Sequence, residues 1–241
     1  MSLALLIGII LILSIVQSVV GIGLLVFGTP TFLMLGLSFH ETLGIVLPPS
    51  IIISLLQVIE SRSIKTDFKR DFNIYCLVFV FIGLVFVFVN EAKFDFKYIV
   101  GWMLLVSGSL KLSSKLSYYL DKGIQRYKRV FLVLIGFVHG VSNMGGGLLS
   151  LYSSSNFKES KVKTRSAVAY GYLLMGIIQY ITLSFYHPEV LKLQAVLLMV
   201  IALLTYIVLG RKLFAFTKDE IFQKILSTII LIYGILFLAK S

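Results

Sequence analysis

The sequence predicts an all-α integral membrane protein of about eight to ten membrane segments, arranged as two repeats of inverted topology. Three observations carry this expectation. Apolar runs of spanning length recur almost from end to end, basic residues concentrate in four loops, and unusual residues repeat at a fixed offset of 122. Of 241 residues, 58% are hydrophobic and 14% charged, with a mean hydropathy of +0.98; soluble domains carry about a quarter charged residues. A bilayer core of about 30 Å takes roughly 20 apolar residues per helix, and no soluble domain fits between such runs.

In chain order, spans are expected over residues 3–20, 42–60, 73–89, 97–112, 166–185, 189–209 and 221–239. The first has no basic leader region and no small-residue cleavage site, so it reads as a mature helix rather than a signal peptide. Two stretches are irregular. Residues 21–38 form a second apolar piece marked by glycine and proline, and residues 130–157 are cut at Gly145, Gly146 and Gly147 into two pieces shorter than a span. Consecutive glycines are a poor choice for a helix interior. Cys76 is alone in the chain, which excludes an intramolecular disulfide.

The charges decide how the irregular stretches are threaded, because Lys and Arg collect on cytoplasmic loops. If 21–38 does not cross and 130–157 crosses once, the two sides hold twelve and ten basic residues, which orients nothing. If 3–38 and 130–157 each enter and return as a hairpin, the loops 61–72, 111–130, 156–165 and 210–224 share one side, and the split becomes eighteen to four. This threading puts those loops in the cytoplasm and both termini outside. Each half, 1–120 and 121–241, then has five segments. An odd number inverts the second half relative to the first, the plan of many secondary transporters. The net charge of +11 is accordingly assigned to topology and not to nucleic acid.

Shifting the chain by 122 pairs Gly23 with Gly145, Gln57 with Gln179, Gln17 with His139 and Gly21 with Asn143, and sets Pro30 opposite Tyr152. Apolar matches mean little in such a chain, whereas glutamines inside a membrane are rare. The first break reads G-x-G-x-x-x-x-x-x-P (Gly21, Gly23, Pro30), and the second G-x-x-x-G-x-x-x-x-G-G-G (Gly136, Gly140, Gly145 to Gly147). This pattern resembles the sulfite exporter TauE/SafE family over essentially the whole chain. The resemblance implies a multi-spanning exporter of a small anion such as sulfite, sulfoacetate or another organosulfonate. Leu24 and Leu25 stand where the first motif would have glycines, and Asn143 and Tyr152 replace the first glycine and the proline of the second, which bears on specificity.

Non-helical backbone is tolerated at membrane depth only where protein buries it or it lines a wet cavity. The first N–H groups of a new helix have no internal partner, and the helix dipole adds about half a positive charge there. Such an end binds an oxyanion without help from Lys or Arg. The candidate substrate contacts are therefore the backbone at Gly21, Gly23, Gly145, Gly146 and Gly147, the neutral donors Thr29, Ser142 and Asn143, and the lining groups Gln17, Gln57, His139 and Gln179. Plainer roles stay open for each group: glycines that let helices pack, glutamines that bond across helices, a histidine held by a carbonyl. His139 is also a candidate proton carrier.

All eleven carboxylates fall in loops or at span ends, which disfavours a cation substrate. The three histidines show no ligand spacing, the serines near Gly145 have no acid–base partner, and there is no P-loop. The chain is thus expected to be no enzyme and to use no cofactor or metal. Its expected partners are a small anion, coupled to protons or to membrane potential, and the lipid bilayer. A passive anion channel, another small metabolite as substrate, and homo-oligomerisation all remain open.

Overall fold

The computed structural model describes residues 1–61, 64–90, 96–112, 114–157, 160–216 and 235. Ten helices are present among them: α1 (Leu3–Val20), α2 (Leu24–Met34), α3 (Phe39–Ile59), α4 (Thr66–Val89), α5 (Phe96–Leu112), α6 (Ser114–Arg126), α7 (Lys128–Ser142), α8 (Gly146–Asn156), α9 (Lys161–Tyr186) and α10 (Leu193–Phe216). Five are long and apolar enough to cross a membrane: α1, α3, α4, α9 and α10. The chain is thus a multi-pass, all-helical membrane protein. The span expected at 221–239 lies outside the described residues.

Helix ends differ from the apolar runs for local reasons. Ser38 and Glu41 form a reciprocal capping box that starts α3 at Phe39, before the apolar run begins. Ser160 caps α9 through the Lys163 N–H, so Lys161, Lys163 and Arg165 belong to the helix and not to the loop before it. Long basic side chains at a helix end reach the interface from within the helix, which hydropathy does not register. Pro188 opens a short 3-10 turn, Pro188–Val190, and delays α10 to Leu193.

Residues at the centre of the bundle are distinguished by burial. The spanning window of α3 is 67% buried inside the protein, against 33% for α10 and 39% for α1 and α4, so α3 is the central helix. Its largest neighbour is α9, while α4 packs along α7. Large apolar side chains such as Ile12, Phe81, Trp102 and Phe185 point outward, as lipid-facing positions do.

Two helix pairs fold back on themselves. Gly23 lies against the backbone of Gln17, and Gly145 against the Ile135 carbonyl, so α2 returns along α1 and α8 along α7. The pairs open toward opposite ends. Met1, Leu3 and Leu6 share a cleft with Leu35, Leu37, Glu41 and Lys192 at one end. At the other, a cavity of about 590 Å³ gathers Lys65, Asp71, Gln125, Lys128, Asn156 and Lys163, from three of the four basic loops. The fourth basic loop is represented beside Glu60, where Arg211 forms an ion pair.

Candidate functional site

At the first break α1 ends on Gly21, whose φ of +82° is left-handed and whose N–H donates to the Gln17 carbonyl at 2.8 Å. Glycine accepts that conformation without steric cost. The second break repeats the turn with Asn143, at φ +60° and with its N–H 2.7 Å from the His139 carbonyl. Asparagine is the residue that best substitutes for glycine in this region. The departure at Asn143 therefore keeps the turn and adds a side chain, whose Nδ2 donates to Thr29 Oγ1 at 2.9 Å and ties the second break to α2.

The glutamines attach α3 and α9 to these turns in the same way. Gln57 Nε2 donates to the Gln17 and Ser18 carbonyls at 3.1 and 3.2 Å. Gln179 Nε2 approaches the His139 carbonyl at 3.5 Å, while its Oε1 lies 3.0 Å from His139 Nε2. An amide oxygen only accepts, so His139 Nε2 carries the proton and Nδ1 is the acceptor. That Nδ1 is buried with no partner. The bounds of α2 and α8 differ by 122 at both ends, as do the starts of α3 and α9.

The two breaks differ in how their amides are used. Gln17 folds its side chain into the first: Nε2 donates to the Ser50 carbonyl, Ser50 Oγ and Ser54 Oγ, and Oε1 accepts the Leu24 N–H at 3.2 Å. One amide at the start of α2 is thereby closed by the protein itself. At the start of α8 no side chain caps the helix, the first intrahelical bond runs from the Leu149 N–H to the Gly145 carbonyl, and the N–H groups of Gly146, Gly147 and Leu148 have no acceptor among the described residues. Ser142 Oγ is committed to the Val138 carbonyl and the Met144 N–H.

All twelve residues singled out in the sequence are buried, in two groups. Gln17, Gly21, Gly23 and Gln57 surround the first break; His139, Ser142, Asn143, Gly145, Gly146, Gly147 and Gln179 surround the second, joined by Thr29. No Asp or Glu is buried among the described residues; Glu60, whose charge reaches Arg165 beside the first break, is paired with Arg211.

Two further residues belong to these groups and carry no local sequence signal. Tyr172 of α9 is fully buried, and its hydroxyl has no partner and lies against Gly146, where a side chain's Cβ would collide with it. Arg165 donates to the Ser18 carbonyl at 3.2 Å, lays its stem beside Gly21, and stacks its guanidinium 3.4 Å from the Phe214 ring centroid. Sequence alone assigned Arg165 to a charged loop. The departure at Tyr152 is remote from the breaks: its ring lines the basic cavity 5.8 Å from Phe68.

The model of the family described as Sulfite exporter TauE/SafE matches residues 6–237, nearly the whole chain. No curated protein and no solved structure matches it.

Proposed function

Because the chain belongs to the sulfite exporter TauE/SafE family, a family of membrane transporters, we propose that it is a secondary transporter that exports a small anion across the cell membrane. Sulfite, sulfoacetate or another organosulfonate is the expected cargo. The observation that carries this reading is the buried start of α8, where the amides of Gly146, Gly147 and Leu148 are open, in a structure that buries no Asp or Glu among its described residues. A tetrahedral or pyramidal oxyanion takes hydrogen bonds from such a helix end, and the dipole adds to the attraction.

In the proposed architecture residues 1–120 and 121–241 are inverted repeats, each with one helix hairpin, and both termini are outside. The opposite openings of the α1–α2 and α7–α8 pairs, and the shared offset of their bounds, support it. A reporter active only in the periplasm or extracellular space should work when fused at Ser241. One that works there only as a cytoplasmic fusion would overturn the orientation.

His139 Nδ1 is an acceptor in its neutral form and offers an anion nothing. Once protonated it becomes a donor, so proton and anion would bind with mutual support, which is one route to coupling. The membrane potential supplies a second, about 2.3 kcal/mol per charge per 100 mV. In proteoliposomes containing only this protein, labelled sulfite is expected to exit faster when unlabelled sulfite is present on the far side. Flux without such counterflow would indicate a passive channel, and no flux of sulfite or of organosulfonates would reject the transport reading for these cargoes.

A further inference from the structure

At the end of the bundle that holds Met1, the helices with the largest shared interface bring together three metal-ligating side chains that lie far apart in sequence. His40 is in the first turn of α3, His187 follows the last turn of α9, and Glu189 is in the 3-10 turn after it. The two imidazoles stack with centroids 4.2 Å apart and planes 6° apart. His187 Nδ1 lies 3.0 Å from Glu189 Oε1, and one ligand atom of each of the three residues falls within 4.8 Å of the other two. The histidines are half-buried and the carboxylate is exposed, so the cluster is reachable from water.

We propose that His40, His187 and Glu189 form a zinc site that bridges the ends of α3 and α9. Two imidazole nitrogens and one carboxylate oxygen are the borderline and hard donors that zinc accepts, and three protein ligands leave the fourth tetrahedral position for water. Tetrahedral zinc with bonds of about 2.0 Å needs its two nitrogens about 3.3 Å apart. The rings are stacked in the structure, so one imidazole must leave the stack for both nitrogens to face one ion.

The surroundings hold the ligands in place. The capping box fixes the start of α3, and the His187 N–H donates to the Leu183 carbonyl at 2.8 Å. Phe88 presents its ring to His187 edge-on at 4.9 Å, walling one side. The other carboxylate nearby, Glu41, is engaged by the Ser38 N–H and hydroxyl at 2.9 and 3.0 Å and lies next to Lys192. Zinc would fasten α3 to α9 at this end, and any transport step that separates them would slow. That consequence rests on the proposed function; the site itself does not.

The test is zinc titration of the purified, chelator-treated protein by calorimetry. One saturable equivalent per chain is expected. His40→Ala and His187→Ala should each weaken it at least tenfold, and Glu189→Gln by less, with zinc-free melting temperatures unchanged. No saturable zinc binding, or binding equally tight in the His40→Ala/His187→Ala double variant, overturns the site. In proteoliposomes, zinc on the side that faces this cluster should slow sulfite flux in the wild type and not in His187→Ala. Absence of flux even without zinc would count against the transport reading alone, because the titration decides the site.

Discussion

Gly146→Leu is expected to insert and purify like the wild type and to reduce sulfite flux to the background of empty vesicles. A Cβ at this position would collide with the Tyr172 hydroxyl, and the larger leucine would also stand over the open amides of Gly146 and Gly147. Overpacking of this kind costs about 1–3 kcal/mol, which lowers stability without removing the fold. Blocking these two amides and their share of the helix dipole removes interactions on which the proposed site is built. Gly8→Leu is the matched control, because nothing lies within 4 Å of a Cβ there, and it should transport normally. Wild-type flux in Gly146→Leu would remove α8 from the substrate path.

Much of the fold was legible because membrane insertion reduces to a few strong rules. Apolar length located five spanning helices, whereas the run expected to span at 97–112 forms a helix, Phe96–Leu112, that is not among those long and apolar enough to cross. Basic loops indicated that the two irregular stretches turn back. The glycines, with Gln17, Gln57 and Gln179, marked the breaks because polar and flexible residues are costly in hydrocarbon and need a reason to be there. Helix starts were less legible: the cap at Ser160 draws three basic residues into α9, and no hydropathy window registers a cap.

The site was legible only in part, because its remaining members are selected by packing between distant segments. Tyr172 reads as one more apolar-run aromatic until α9 is laid against Gly146. Arg165 reads as a topology signal until its stem is found beside Gly21. His40 and His187 show no metal spacing because α3 and α9, and not local sequence, place their rings 4.2 Å apart.

The structure also breaks a symmetry that the offset of 122 suggests. The two breaks have matching turns and matching glutamine anchors, yet Gln17 supplies an acceptor to the Leu24 amide, and the residue at its place in the second half is His139. The His139 ring spends its proton on Gln179 and leaves an acceptor, not a cap, beside α8. One half has closed its helix start with its own side chain while the other leaves it open. On the proposed reading an anion has more to gain at the second break, while the first anchors Gln57 and Arg165.

Tyr172→Phe separates a binding role from a structural one by the sign of two effects. The hydroxyl is buried without a partner, and an unsatisfied group of this kind costs about 1–3 kcal/mol. Its removal should raise the melting temperature of the anion-free protein, because the ring stays in place and only the orphaned dipole goes. If the hydroxyl donates to a bound oxyanion, the same change removes a hydrogen bond to a charged group, worth about 1.5–3 kcal/mol, and should weaken sulfite binding roughly tenfold to a hundredfold. Thermal shift with and without sulfite reads both: a higher baseline melting temperature and a smaller sulfite-induced increase. A hydroxyl that merely supported the fold would give the reverse, a lower baseline with the sulfite increment intact. A residue whose loss stabilises the empty protein and weakens the loaded one is held at a stability cost for the sake of its ligand.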